Sequence, residues 1–159
     1  MTSLQKINNL LREAERIAEY ELGVTNIFYN EAFVEAFMAD QLGHRWNVDT
    51  QGSDAYEPDG TPTEYKAINV RGKYKGTFQF HWLSENKMDK LRTTKNMYFA
   101  IRDGVELKEV YSVPTDKLID KIQEKATNSK STNGHISFTL EQIKKIAVPH
   151  KLQDNICNE

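Results

Sequence analysis

The chain has 159 residues, a net charge of −2 and one cysteine, Cys157. That length suits a single domain with a modest core, and no run is long and apolar enough to span a membrane. The near-balanced charge argues against a protein that coats nucleic acid through bulk electrostatics, and a lone cysteine excludes an internal disulfide or an all-cysteine metal site within one chain.

Met1-Thr2-Ser3-Leu4-Gln5-Lys6 runs into an amphipathic pattern rather than a secretory h-region, so the protein is expected to stay where it is made, in a reducing cytoplasm. Leu4, Ile7, Leu11, Ala14 and Ala18 recur at helical spacing, with Thr2 and Gln5 as a capping box and Gly23 as the stop. Leu10 and Ile17 broaden the apolar face beyond what one contact needs. A second helix is predicted from Asn30, its N-cap, to about Leu42, with Gly43 ending it and Glu31 in its first turn. Arg45 to Asp49 is predicted as the first strand.

Gly52 to Val70, GSDAYEPDGTPTEYKAINV, carries the chemistry. Pro58-Asp59-Gly60 between strand-like runs predicts a three-residue hairpin loop closed by a left-handed glycine. With Glu57 facing Thr61, Asp54 comes opposite Glu64, and Lys66, two residues on, shares the face. Facing carboxylates repel unless a cation sits between them, and two acids with open lone pairs suit a hard cation such as Mg²⁺. Acid, acid and lysine around a metal can hold a phosphate oxygen, activate water and stabilise charge on phosphorus.

Arg71-Gly72-Lys73-Tyr74-Lys75-Gly76 follows, a loop suited to touching phosphates through Lys73 and Lys75. From Arg71 to Lys95 seven lysines and arginines face two acids, Glu85 and Asp89, a local basic stretch. Thr77 to Leu83 alternates, with Phe78, Phe80 and Trp82 inward and Thr77, Gln79 and His81 outward; Gln79 and His81 can each donate to and accept from a base edge. Ser84 caps a short helix through Arg92. Met97 to Ile101 reads as a strand buried on both faces, turned by Asp103-Gly104 into an antiparallel partner over Val105 to Val113. Pro114-Thr115-Asp116 starts a helix carrying Leu118, Ile119 and Ile122. Thr127 to Gly134 is a polar loop, His135 to Phe138 a short strand, and Thr139 with Gln142 a second capping box before Leu140, Ile143 and Ile146. Beyond Pro149 the pattern is silent. The four histidines are scattered, and nothing local suggests a nucleophilic triad.

Asp54, nine residues, then Glu64-Tyr65-Lys66 resembles the core motif of the PD-(D/E)XK nucleases. Gly23-Val24-Thr25-Asn26-Ile27-Phe28, Asp54-Ala55, Lys66-Ala67-Ile68-Asn69, Phe99 to Val105 and Glu109-Val110-Tyr111 narrow the resemblance to PvuII-like type II restriction endonucleases, over about residues 4–118. The resemblance implies a homodimer that shares its first helix. It also implies base reading by histidines on the strand holding His81, although Phe80 and Trp82 flank it here, which points to a different target sequence. An acid of the family approaches the minor groove where this chain has Asn30. Paired asparagines read bases where this chain has Asn133, His135 and Ser137.

The expected fold is a single-domain α/β (α+β) restriction-endonuclease-like fold, a mixed central sheet flanked by helices. Within 1–159 the regions are a helical dimerisation part (1–42), a catalytic sheet core (45–113) and a DNA-contacting loop and helix (127–149). The expected activity is Mg²⁺-dependent hydrolysis of double-stranded DNA at a short palindromic site, leaving 5′-phosphates. Asp54 and Glu64 would hold the metal, Lys66 would serve the attacking water, and a DNA methyltransferase would protect the site in the cell. Two alternatives remain open at this level: a structure- or damage-directed nuclease, and a catalytically silent DNA-binding protein of the same fold.

Overall fold

The computed structural model describes residues 1–49, 51–73, 76–81, 84–128 and 135–153. The chain opens with α1 (Ser3–Leu22), capped as expected: the Gln5 N–H donates to Thr2 Oγ1, the Thr2 N–H donates to Gln5 Oε1 at 2.7 Å, and Gly23 ends the helix at φ 71°. A turn of 3-10 helix (Tyr29–Glu31) leads into α2 (Ala32–Leu42). This corrects the expected start: Asn30 is not the N-cap. Asn30 and Glu31 both lie in the left-handed region, at φ 49° and 61°, and Glu31 takes the N-cap position without a side-chain cap. Two successive non-glycine residues there are strained. Buried Arg102 compensates by donating to the Glu31 carboxylate while its guanidinium lies over the Phe33 ring, so Glu31 serves an ion pair as well as the helix dipole.

The next elements are β1 (Arg45–Trp46), β2 (Ala55–Tyr56), β3 (Pro62–Asn69), β4 (Thr77–Phe80), α3 (Glu85–Arg92), β5 (Asn96–Asp103), β6 (Glu106–Pro114), α4 (Thr115–Asn128), β7 (Ile136–Thr139), α5 (Leu140–Lys144) and β8 (Val148–His150). β1 is shorter than the predicted Arg45 to Asp49 because Asn47 turns its side chain onto the following loop, donating to the carbonyls of Ser53 (2.8 Å) and Gln51 (3.2 Å). β4 ends at Phe80; Trp82 and Leu83, predicted to extend it, lie outside the described residues. α4 continues through Thr127 and Asn128, which were expected in the polar loop.

Six strands form one sheet in the order β1-β2-β3-β5-β6-β8, and β4 pairs with β7 in a second, two-stranded sheet. β3 and β5 run parallel and the other pairings are antiparallel, which makes the main sheet mixed, as expected. β5 sits at its centre and is buried on both faces. Met97, Phe99 and Ile101 face one core with Phe78, Phe80, Leu118, Ile122, Phe138 and Ile143; Tyr98 and Ala100 face another with Val34, Met38, Tyr65 and Val110. α2 therefore covers one face, while α3, α4 and the small sheet cover the other. The end of the described chain, silent in sequence beyond Pro149, adds an edge: β8 pairs with β6, the His150 ring nitrogen Nε2 lies 2.8 Å from Ser112 Oγ, and Leu152 packs on the second core.

Candidate active site

The hairpin forms as the turn chemistry demands. The Glu57 N–H donates to the Thr61 carbonyl at 2.8 Å, the Gly60 N–H returns to the Glu57 carbonyl, and Gly60 adopts φ 85°. The register runs Tyr56 opposite Pro62 and Ala55 opposite Thr63, so Asp54 stands one step beyond the ladder, beside Glu64. There it accepts a 2.7 Å hydrogen bond from the Tyr65 N–H. Because β2 pairs with Pro62 and Thr63 alone, that edge of β3 is open to a ligand from Glu64 onward.

Glu64 and Lys66 alternate with Tyr65 along β3, and Ile68, on the same face as both, packs in the core that holds Phe80 and Met97. The Lys66 ammonium lies 5.4 Å from the Phe80 ring centre. Burial lowers the Lys66 pKa against the pull of Asp54 and Glu64. Asp54 is pushed up to about 6, first by burial and then by the Glu64 charge, with the Tyr65 N–H, Lys90 and Lys66 opposing. The three expected catalytic side chains are thus brought together.

Sequence reasoning missed two neighbours. Glu35, on α2, lines the cleft with Tyr65 and Lys66 and is pushed up to about 7 by burial, then by Asp54 and Glu64. The Trp46 indole N–H lies against its carboxylate without settling into hydrogen-bond geometry. The signal for Glu35 was present as a lone acid inside the apolar run Ala32-Phe33-Val34-Glu35-Ala36-Phe37. Lys90, counted in sequence merely as local positive charge, places Nζ 2.8 Å from Glu64 Oε1 and 2.5 Å from the Gly52 carbonyl oxygen.

Among the described residues no three histidine, cysteine, aspartate or glutamate side chains converge to hold a metal by themselves. Two carboxylates still fit a hard divalent ion that keeps several waters and draws further oxygens from a phosphate. The geometry supports that fit, since Glu64 Oε1 is buried yet accepts no hydrogen bond even with the Lys90 ammonium beside it.

A cleft of about 410 Å³ extends from Lys66 along β3 and gathers Asn30, Lys73, Gln79 and His81. Gln79 sits opposite Ser137 across the β4–β7 pair, outward of the buried Phe78, Phe80 and Phe138. His81 and His135 meet at the same end of that pair, one Nδ1 donating to the other over 2.7 Å. Lys75 and Asn133, also expected to touch DNA, lie outside the described residues.

A mixed sheet with the acid-acid-lysine set at its open edge defines a restriction-endonuclease-like domain. A family model described as restriction endonuclease PvuII matches residues 1–148, and the chain belongs to that family. It is accordingly a type II site-specific deoxyribonuclease acting on DNA, in a family that generally depends on divalent metal. No curated protein matches the chain closely enough to count as a relative. No helix among the described residues is long and apolar enough to cross a membrane.

Proposed function

We propose that the chain is a Mg²⁺-dependent homodimeric restriction endonuclease that cuts double-stranded DNA at a short palindrome and leaves 5′-phosphate and 3′-hydroxyl ends. The observation that carries this reading is Asp54 set beside Glu64 with Lys66 on the same face, where the edge of β3 opposite β5 runs on beyond its pairing with β2. Asp54 and Glu64 would hold the metal, which when bound supplies positive charge against the phosphate and acidifies a water. Lys66, its pKa lowered by burial, orients the attacking water and takes part in its deprotonation. The Tyr65 N–H holds the Asp54 carboxylate against β3 beside Glu64.

Around the site, Lys73 and Lys75 would contact phosphates, Asn30 the minor groove, and Gln79, His81, Asn133, His135 and Ser137 the base edges. The histidine contact supports a specific form of readout. While both rings are neutral, the ring that donates through Nδ1 leaves Nε2 as an acceptor, and the ring that accepts carries Nε2–H. One acceptor beside one donor complements the major-groove edge of adenine, whereas guanine calls for two donors.

Two-fold symmetry of the target calls for two copies of the protein. Leu10 on α1 and Phe37 on α2 are exposed, and the two helices border an apolar groove of about 850 Å³, a surface suited to a second copy. The enzyme would act in the cytoplasm beside a DNA methyltransferase that protects the same site. Digestion of an unmethylated plasmid with Mg²⁺, and separately with a chelator, followed by sequencing of the fragment ends, tests this: shared palindromic ends in Mg²⁺ alone are expected. A metal-dependent smear would overturn site specificity, and cutting in chelator would overturn the metal role.

A further inference from the structure

A second lysine stands beside the acid pair. Lys90 reaches from the last turn of α3, a helix seated by buried Met88 and Leu91, and its ammonium bridges Glu64 Oε1 at 2.8 Å and the Gly52 carbonyl at 2.5 Å. Its charge also acts on Asp54, so both acids of the pair feel it. The surroundings leave it to these oxygens. Arg92 takes the α3 acids Glu85 and Asp89, and Lys87, one turn earlier, donates to the His81 carbonyl at 3.1 Å.

We propose that Lys90 is the counter-ion of the acid pair whenever no metal is bound, and that metal uptake exchanges its ammonium for the divalent ion on Glu64. This rests on the reading of Asp54 and Glu64 as the metal ligands. A divalent ion binds carboxylate oxygen at about 2.1 Å, a position that the ammonium beside Glu64 Oε1 obstructs by both bulk and charge. The lysine is a poor permanent occupant. At 2.8 Å its angle leaves Glu64 Oε1, a buried atom, without a hydrogen bond, so a better-placed cation has an acceptor to win. It is also free to leave, because its flexible four-carbon stem ends in a side chain that is 43% exposed. Without it, two carboxylates crowd together beside Glu35 with Lys66 as the nearest compensation. Lys90 therefore steadies the metal-free fold while competing with the metal, which sets a threshold for loading.

The test is calorimetric titration of DNA-free protein with Mg²⁺ alone, comparing wild type with Lys90→Met, Lys90→Gln, Lys90→Arg and Glu64→Gln. Lys90→Met and Lys90→Gln should bind Mg²⁺ about tenfold more tightly, a change of about 1.4 kcal/mol. Their metal-free unfolding midpoints should drop and recover as Mg²⁺ is added. Lys90→Arg, which keeps a cation in reach, should stay near the wild-type affinity. Folding of each variant is checked by circular dichroism, with the methionine and glutamine forms standing in for each other. Unchanged or weaker Mg²⁺ binding in the folded neutral variants, with binding lost in Glu64→Gln, overturns the counter-ion role and leaves the metal site standing. Full Mg²⁺ binding by Glu64→Gln overturns the metal site itself.

Discussion

Two surfaces of this protein are left unfinished in opposite ways. At the open edge of β3, Glu35, Asp54, Glu64, Lys66 and Lys90 crowd together, so that burial and like charge raise two carboxyl groups and lower a lysine. Along α1, Leu4, Ile7, Leu10, Leu11, Ile17, Tyr20 and Leu22 are all exposed, and Ala18 is the one buried residue of the helix. The first surface is short of positive charge and the second of apolar contact. Under the function proposed above the two would be relieved by partners of different kinds: a cation with a phosphate for the cleft, a second apolar surface for the helix.

The largest effect should come from removing a carboxylate from the cleft. Glu64→Ala is expected to lower Mg²⁺-dependent DNA cleavage by about a thousandfold or more while circular dichroism and the unfolding midpoint stay near wild type. Undiminished cleavage would detach the acid pair from the chemistry and leave the raised pKa of Asp54 as a structural accident.

The apolar surface should break next. Ile7→Asp with Leu11→Asp, both at exposed positions, is expected to halve the mass seen in solution toward 18.4 kDa and to lower cleavage of a palindromic site by about a hundredfold. A wild-type mass already at one chain would remove the second copy from the account of α1.

A smaller effect separates the two surfaces from base reading. His135→Ala should leave cleavage of the proper site within about tenfold but weaken discrimination against sites with one altered base pair by about 1 kcal/mol or more, measured as a ratio of cleavage rates. The same contact predicts one Nδ1-protonated and one Nε2-protonated ring, readable from imidazole nitrogen shifts at neutral pH.

The smallest effect is on stability against pH. Glu35 is raised from 4.5 to about 7 in the fold, so it favours the folded state while protonated: its contribution is complete below about pH 4.5 and is lost as pH rises through about 7. Metal-free wild type should lose stability over that window, and Glu35→Gln should lose about 1 kcal/mol less after allowance for solvent screening. Parallel curves for the two proteins would show that Glu35 is solvated rather than squeezed by Asp54 and Glu64.

Short-range signals carried much of the architecture. The Thr2–Gln5 and Thr139–Gln142 boxes, the Gly23 stop, the Ser84 cap and the Pro58-Asp59-Gly60 turn all appear as their residues predict, because each is decided within a few residues by hydrogen bonds and permitted backbone angles. The near-continuous apolar run at Met97 likewise announces a strand buried on both faces. Even the Asp54–Glu64 juxtaposition follows from loop length, since a three-residue turn sets the register of everything it joins.

What local pattern could not decide is where separate segments meet. Asn30 and Glu31 leave the helix where Arg102, seventy-one residues beyond Glu31, pairs with that carboxylate. Glu35 becomes part of the cleft through the packing of α2 on the sheet, and Lys90 reaches Gly52 across thirty-eight residues. β8 is a strand because β6 offers it an edge, though its own three residues carry no period. The sequence by itself determined most of the elements, the hairpin register and the acid-acid-lysine face, all governed by short-range sterics and the alternation of a strand. Only the tertiary structure decided which charges share the cleft, since an electrostatic neighbourhood depends on distance in space and on what excludes water from it.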